Sequence, residues 1–169
     1  MTTYPAEKNR RWIWYFVVVF AMAFIATAVL IMFNLGQQLK PDALSAARKH
    51  WLEKGPLDYT MSYTQRVDEN TDVDHYWVKV RGGKVVEAKF NGQPEAPELY
   101  RHRSMDRLFD FMDDFMREDS KEGSPKTYVR AIFDDQGTGR LFRYVRRVMG
   151  GRHRVEITVE TFSNDTPKL

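Results

Sequence analysis

The chain has 169 residues, a formal net charge of +3, 43% hydrophobic residues and no cysteine. Aromatic residues at 14% beside 29% charged residues exclude a disordered chain, and the length holds one modest domain with an appendage. The missing cysteines exclude disulfides, thiolate zinc sites, cysteine nucleophiles and cysteine-linked lipids.

The first element is a long apolar run. From Trp12 to Leu35 only Thr27 and Asn34 are polar, and the next charge is Lys40. A bilayer core is crossed by roughly 20 apolar residues as a helix, because a helix satisfies its own backbone hydrogen bonds in lipid. Residues 12–35 therefore read as a transmembrane helix whose partner is the bilayer. Arg10 and Arg11, with Trp12 and Trp14 at headgroup level, form its flank. Two of the three net positive charges lie on residues 1–11, where Lys8, Arg10 and Arg11 face Glu7. By the positive-inside rule this short tail is cytoplasmic and the remainder is extracytoplasmic, anchored in a plasma membrane. A cleaved signal peptide is the rival reading, with A-x-A spacing at Ala21-Met22-Ala23 and Ala26-Thr27-Ala28. The run exceeds a signal core of roughly 7–15 residues, which favours an uncleaved anchor.

Residues 36–43 read as a linker and helix start, 44–162 as one α+β domain, and 163–169 as a flexible tail. Pro41 and Asp42 open a helix carrying Leu44, Ala47, Trp51 and Leu52 on one stripe, and Gly55-Pro56 stops it. Leu57, Tyr59, Met61 and Tyr63 then alternate with polar residues as a strand, and Asp68 to Asp74 connect onward. Tyr76, Val78 and Val80, then Val86, Ala88 and Phe90, form two arms around Gly82-Gly83, a type I′ hairpin signal. Asn91-Gly92 ends the second arm, and Pro94 and Pro97 mark a loop.

Ser104 caps the second domain helix. Met105, Leu108, Phe109, Met112, Phe115 and Met116 make its apolar face, opposite Asp106, Asp110, Asp113 and Asp114. Strands over Tyr128–Phe133, Leu141–Met149 and Arg154–Phe162 follow, the last two joined through Gly150-Gly151. The order α-βββ-α-βββ implies an antiparallel, mostly meander sheet with helices on one face. Each half carries an apolar helix, a Gly/Pro stop, a Tyr-led strand and a Gly-Gly hairpin. Tandem duplication and chance alternation of common elements both fit.

The run Trp51-Leu52-Glu53-Lys54-Gly55-Pro56-Leu57-Asp58-Tyr59-Thr60 resembles the W-x-x-x-G-P-x-D-Y-x opening of bacterial proteins grouped as domain of unknown function 6174. Val80 to Val86, Leu108-Phe109-Asp110 and Phe133 to Gly137 resemble later segments of that family, so the resemblance spans most of 44–162. It implies an envelope protein with a lipoprotein signal or membrane segment, and it implies no activity. Many relatives carry cysteines in or after the first strand; this chain carries none.

No catalytic motif is present: there is no G-x-S-x-G, H-E-x-x-H, P-loop or G-x-G-x-x-G. His50, His75, His102 and His153 stand at no metal-ligand spacing, and the acidic helix face and Asp134-Asp135-Gln136-Gly137-Thr138-Gly139 lack a calcium loop's ligands. No metal or cofactor is expected. The unusual local charge is basic: Arg140, Arg143, Arg146, Arg147, Arg152 and Arg154 occur with no acid between them, interleaved with Phe142 and Tyr144. Arginine offers a planar fork to phosphate or carboxylate, so this is a candidate anion-binding patch. A sheet face salt-bridged to neighbouring acids would carry the same residues. The reading is a single-pass membrane protein with a non-catalytic binding domain. Its partner would be an envelope protein or an anionic polymer, and nucleic acid is not expected. A membrane-tethered hydrolase and a cytoplasm-facing anionic-polymer binder are the alternatives.

Overall fold

A computed structural model describes residues 10–36, 38–68, 72–135, 137–151 and 153–164. The chain divides after Gln38 into two compact units.

The first unit is helix α1, Arg10–Gly36. Within it Trp12–Met32 is long and apolar enough to cross a membrane, and none of that stretch is buried inside the protein. Such a helix suits a membrane anchor or a signal sequence alike. The hydroxyl of Thr27 donates to the Ala23 carbonyl at 2.9 Å, so this polar group is satisfied within the helix. Trp12 and Trp14 are exposed in its first turns. Lys8 lies outside the described residues.

The second unit begins with helix α2, Pro41–Lys54, which buries Leu44, Ala47 and Trp51. Leu52, expected on the same stripe, is 67% exposed, because it falls one position round the helix from Trp51. The helix ends at Gly55, which is extended at ψ 141° ahead of Pro56, and only glycine fits there because a Cβ would lie 2.4 Å from the Trp51 carbonyl oxygen. Three strands follow, β1 (Tyr59–Val67), β2 (Asp74–Arg81) and β3 (Lys84–Phe90). The first starts at Tyr59 rather than Leu57, whose side chain is exposed. Gly82 and Gly83, at φ 54° and 73°, make the expected hairpin. Asn91 and Gly92 make a second one, which turns the chain into β4, Gln93–Pro94. The expected loop therefore holds a short edge strand, and beyond it a 3₁₀ turn over Pro97–His102.

Helix α3, Met105–Asp119, is capped as expected, with the Arg107 N–H donating to the Ser104 hydroxyl at 3.3 Å. A second acceptor at this helix end comes from the sheet, since the Met105 N–H donates to the Tyr59 hydroxyl at 3.0 Å. Burial pushes the Tyr59 pKa well up, so the hydroxyl stays neutral. Strands β5 (Thr127–Phe133), β6 (Leu141–Val148) and β7 (Arg154–Asn164) complete the chain, and β7 runs two residues past the expected Phe162.

All strand pairs are antiparallel, in the order β4-β3-β2-β1-β7-β6-β5. The sheet is thus two meanders joined by its first and last long strands, with Tyr63 beside Val159 and Val67 beside Val155. This differs from one continuous meander, because β1 and β7 pair across the whole domain. Both domain helices share one core with the sheet, containing Trp51, Tyr59, Met61, Tyr63, Phe109 and Met112. The order argues against tandem duplication. Equivalent strands would follow as 3-2-1-3-2-1 with reversed direction, which requires a half-turn about an axis in the sheet. That operation exchanges the faces, yet both helices lie on one face.

Candidate anion-binding face

Helices cover one face of the sheet, so alternation along each strand sorts side chains into inward and open sets. In β6 the phase is set by a bulge. Ile132 pairs with Arg143 while Phe133 pairs with Leu141, leaving Phe142 as the extra residue. After it Tyr144 and Arg146 point to the helices, and Arg143, Val145 and Arg147 point to the open face. The arginine run is therefore divided.

Arg146 is buried against α3. Its Nε donates to Asp119 Oδ2 at 2.9 Å, a second N–H reaches Oδ1, and its guanidinium lies 4.5 Å from the Phe115 ring centre. The hydrogen bond to Asp119 holds its pKa above the ordinary arginine value. Arg140 is half-buried between the Phe142 and Phe162 rings, 4.7 Å from each, with Asp134 3.8 Å away. Neither faces outward as part of a patch. Arg152 lies outside the described residues.

Arg143, Arg147 and Arg154 do share the open face. Arg143 Nε donates to Glu156 Oε1 at 3.0 Å, and Arg154 reaches the other carboxylate oxygen. Burial opposes ionisation of Glu156, but the hydrogen bonds and charges of these two arginines outweigh it and hold its pKa below the ordinary value. Arg147 sits opposite Arg154 in register, a like-charge cross-strand pair that an open sheet face disfavours. Among the described residues Arg147 has no acidic partner.

Strand β5 adds residues that the sequence reading did not single out. Register brings Tyr128 beside Arg147, Arg130 beside Val145 and Ile132 beside Arg143. Arg130 likewise has no acidic partner among the described residues. These six side chains line an open groove of about 330 Å³. Period-two alternation in Tyr128–Ile132 was visible in the sequence, but its partner strand and register were not. Across β5 to β7 the open face thus carries Arg130, Arg143, Arg147 and Arg154 against Glu156, with Glu160 exposed further along β7.

The acidic stripe of α3 is tied down. Asp106 accepts from Trp51 Nε1 at 3.2 Å, Asp110 pairs with Arg48 and Arg107, and Asp113 pairs with Arg117. Among the described residues no three His, Asp or Glu side chains group as a metal site. His153 lies 3.1 Å from Asp68. A second cavity, about 280 Å³ at the rim of the helix–sheet interface, is lined by Tyr63, His102, Arg103, Arg107, Asp110 and Asp114 among others. Arg103 there donates to both oxygens of Glu95 and stacks on Tyr76 at 4.4 Å.

Compared with known proteins, the chain matches no family model and no curated protein.

Proposed function

We propose that this is a single-pass membrane protein whose non-catalytic domain docks an anionic component of the cell envelope on the open face of its sheet. The observation that carries the reading is the excess of arginine over acid on β5 to β7, with Arg130 and Arg147 unpartnered among the described residues. Guanidinium forks at strand spacing suit phosphate or carboxylate groups, and the flanking Tyr128, Ile132 and Val145 supply apolar contact. The apolar helix α1 supports an anchor, and the basic tail before it supports an extracytoplasmic domain. The resemblance to domain of unknown function 6174 points to the same compartment.

The test is retention of the detergent-solubilised full chain on immobilised polyphosphate in a salt gradient. Arg130→Gln with Arg147→Gln should elute the protein at lower salt. Lys49→Gln with Lys54→Gln changes net charge equally on exposed positions of α2 and should leave elution in place. Equal elution of all three proteins rejects the reading. Protease digestion of the domain in intact spheroplasts tests the topology, and protection rejects an extracytoplasmic domain.

A further inference from the structure

Resting on that reading, we propose that the anion is the layer of net-negative phospholipid headgroups of the bilayer itself, bound by the β5–β7 face with Met149 beside it. Where the chain enters the domain carries the first argument. The Leu39 N–H donates to the Val129 carbonyl at 2.8 Å, along the outer edge of β5, which is the edge strand of the sheet. The chain thus joins the domain one residue from Arg130 and from Tyr128. In the sequence only Gln37 and Gln38 stand between Gly36, the last residue of α1, and Leu39, which makes three Cα steps. Three residues reach at most about 11 Å. The chain therefore enters the domain on the edge of its basic face.

The second argument distinguishes lipid from a soluble polymer. The turn after β6 presents Met149, 65% exposed, with Gly150 at φ 77° making the reversal. The Met149 N–H donates to the Lys126 carbonyl at 2.7 Å, which fixes this tip beside the start of β5. Arg147 and Arg154 stand at the two strand ends that the turn joins. Ile132, at the other end of the groove, is 43% exposed. Apolar side chains ringed by cations match an interface in which phosphates overlie acyl chains. A hydrated polyanion offers nothing to Met149 or Ile132.

The chain has no cysteine, so Met149→Cys takes one environment-sensitive fluorophore in the full-length protein. The labelled protein is placed in nanodiscs of phosphatidylcholine alone or of phosphatidylcholine with phosphatidylglycerol. The expected result is a blue shift and slower quenching by acrylamide only with the anionic lipid. A label at Val86→Cys, exposed on β3, should respond to neither composition. Each arginine is worth about a fivefold change in the docking equilibrium constant, so Arg130→Gln with Arg147→Gln should lower the docked-to-undocked ratio roughly 25-fold. A label at position 149 that stays aqueous in both discs, or that shifts equally in both, overturns the proposal. If it stays aqueous while the double variant still loses polyphosphate retention, only the lipid assignment falls. If retention is also indifferent to Arg130 and Arg147, the anion-docking reading falls with it. Comparing two lipids with one folded protein keeps misfolding out of the result.

Discussion

Arg146 and Arg147 are neighbours in sequence with opposite roles, and replacing each by alanine separates them. Arg146 and Asp119 pair through two hydrogen bonds, and both side chains are only 11% exposed. Removing one partner of a buried pair strands the other charge, which typically costs 3–5 kcal/mol; the residual exposure here places Arg146→Ala near the low end, about 3 kcal/mol. For a domain of this size, with a urea m-value of about 1.5 kcal/mol/M, that lowers the unfolding midpoint by about 2 M. Arg147 is exposed and faces Arg154, so Arg147→Ala should change stability by less than about 0.5 kcal/mol. The assay is urea unfolding of the full chain in detergent, followed by near-ultraviolet circular dichroism. Arg146→Met with Asp119→Leu should recover most of the loss, because no unpaired charge then remains. A midpoint for Arg146→Ala within about 0.3 M of the wild type refutes the inward placement of Arg146. So does an equal loss in Arg147→Ala.

Tyr59→Phe keeps the ring stacked on Phe162 but leaves the Met105 N–H without its acceptor. It should cost about 1.5 kcal/mol and lower Tm by roughly 6 °C in a thermal melt. Glu156 has a folded pKa below its ordinary value of 4.5, so its contribution to stability is present above that value and is lost as pH falls through the folded pKa. The stability gap between wild type and Glu156→Gln should therefore be steady near neutrality and narrow only below 4.5, as pH falls through the folded pKa; a gap that widens on acidification would contradict the Arg143–Glu156–Arg154 cluster. Gly139 sits at φ 75°, and a Cβ there would lie 2.8 Å from the Ala47 carbonyl oxygen and 2.9 Å from the Trp51 nitrogen. Gly139→Ala should destabilise the domain by about 2 kcal/mol in the same urea assay.

What the sequence alone determined was local. The apolar run over 12–35 outlines α1 because spanning length depends only on consecutive residues. The spacing of Met105, Leu108, Phe109 and Met112 after Ser104 defines α3, and Gly82-Gly83 defines a turn, because each signal lies within a few bonds of its cause. Asn91-Gly92 was equally legible as a turn, yet β4 beyond it is too short to show a period.

Pairing across the domain was decided only by tertiary structure. Nothing periodic announces that β7 lies against β1, or that Arg130 on β5 comes within the groove of Arg143 and Arg147. The basic run itself was legible, but not its division. Side chains alternate with period two, so the one extra residue at Phe142 decides which arginines of β6 face the helices. That bulge turns Arg146 inward to Asp119 and leaves Arg143 and Arg147 on the open face, and its position is set by how β6 packs between its neighbours.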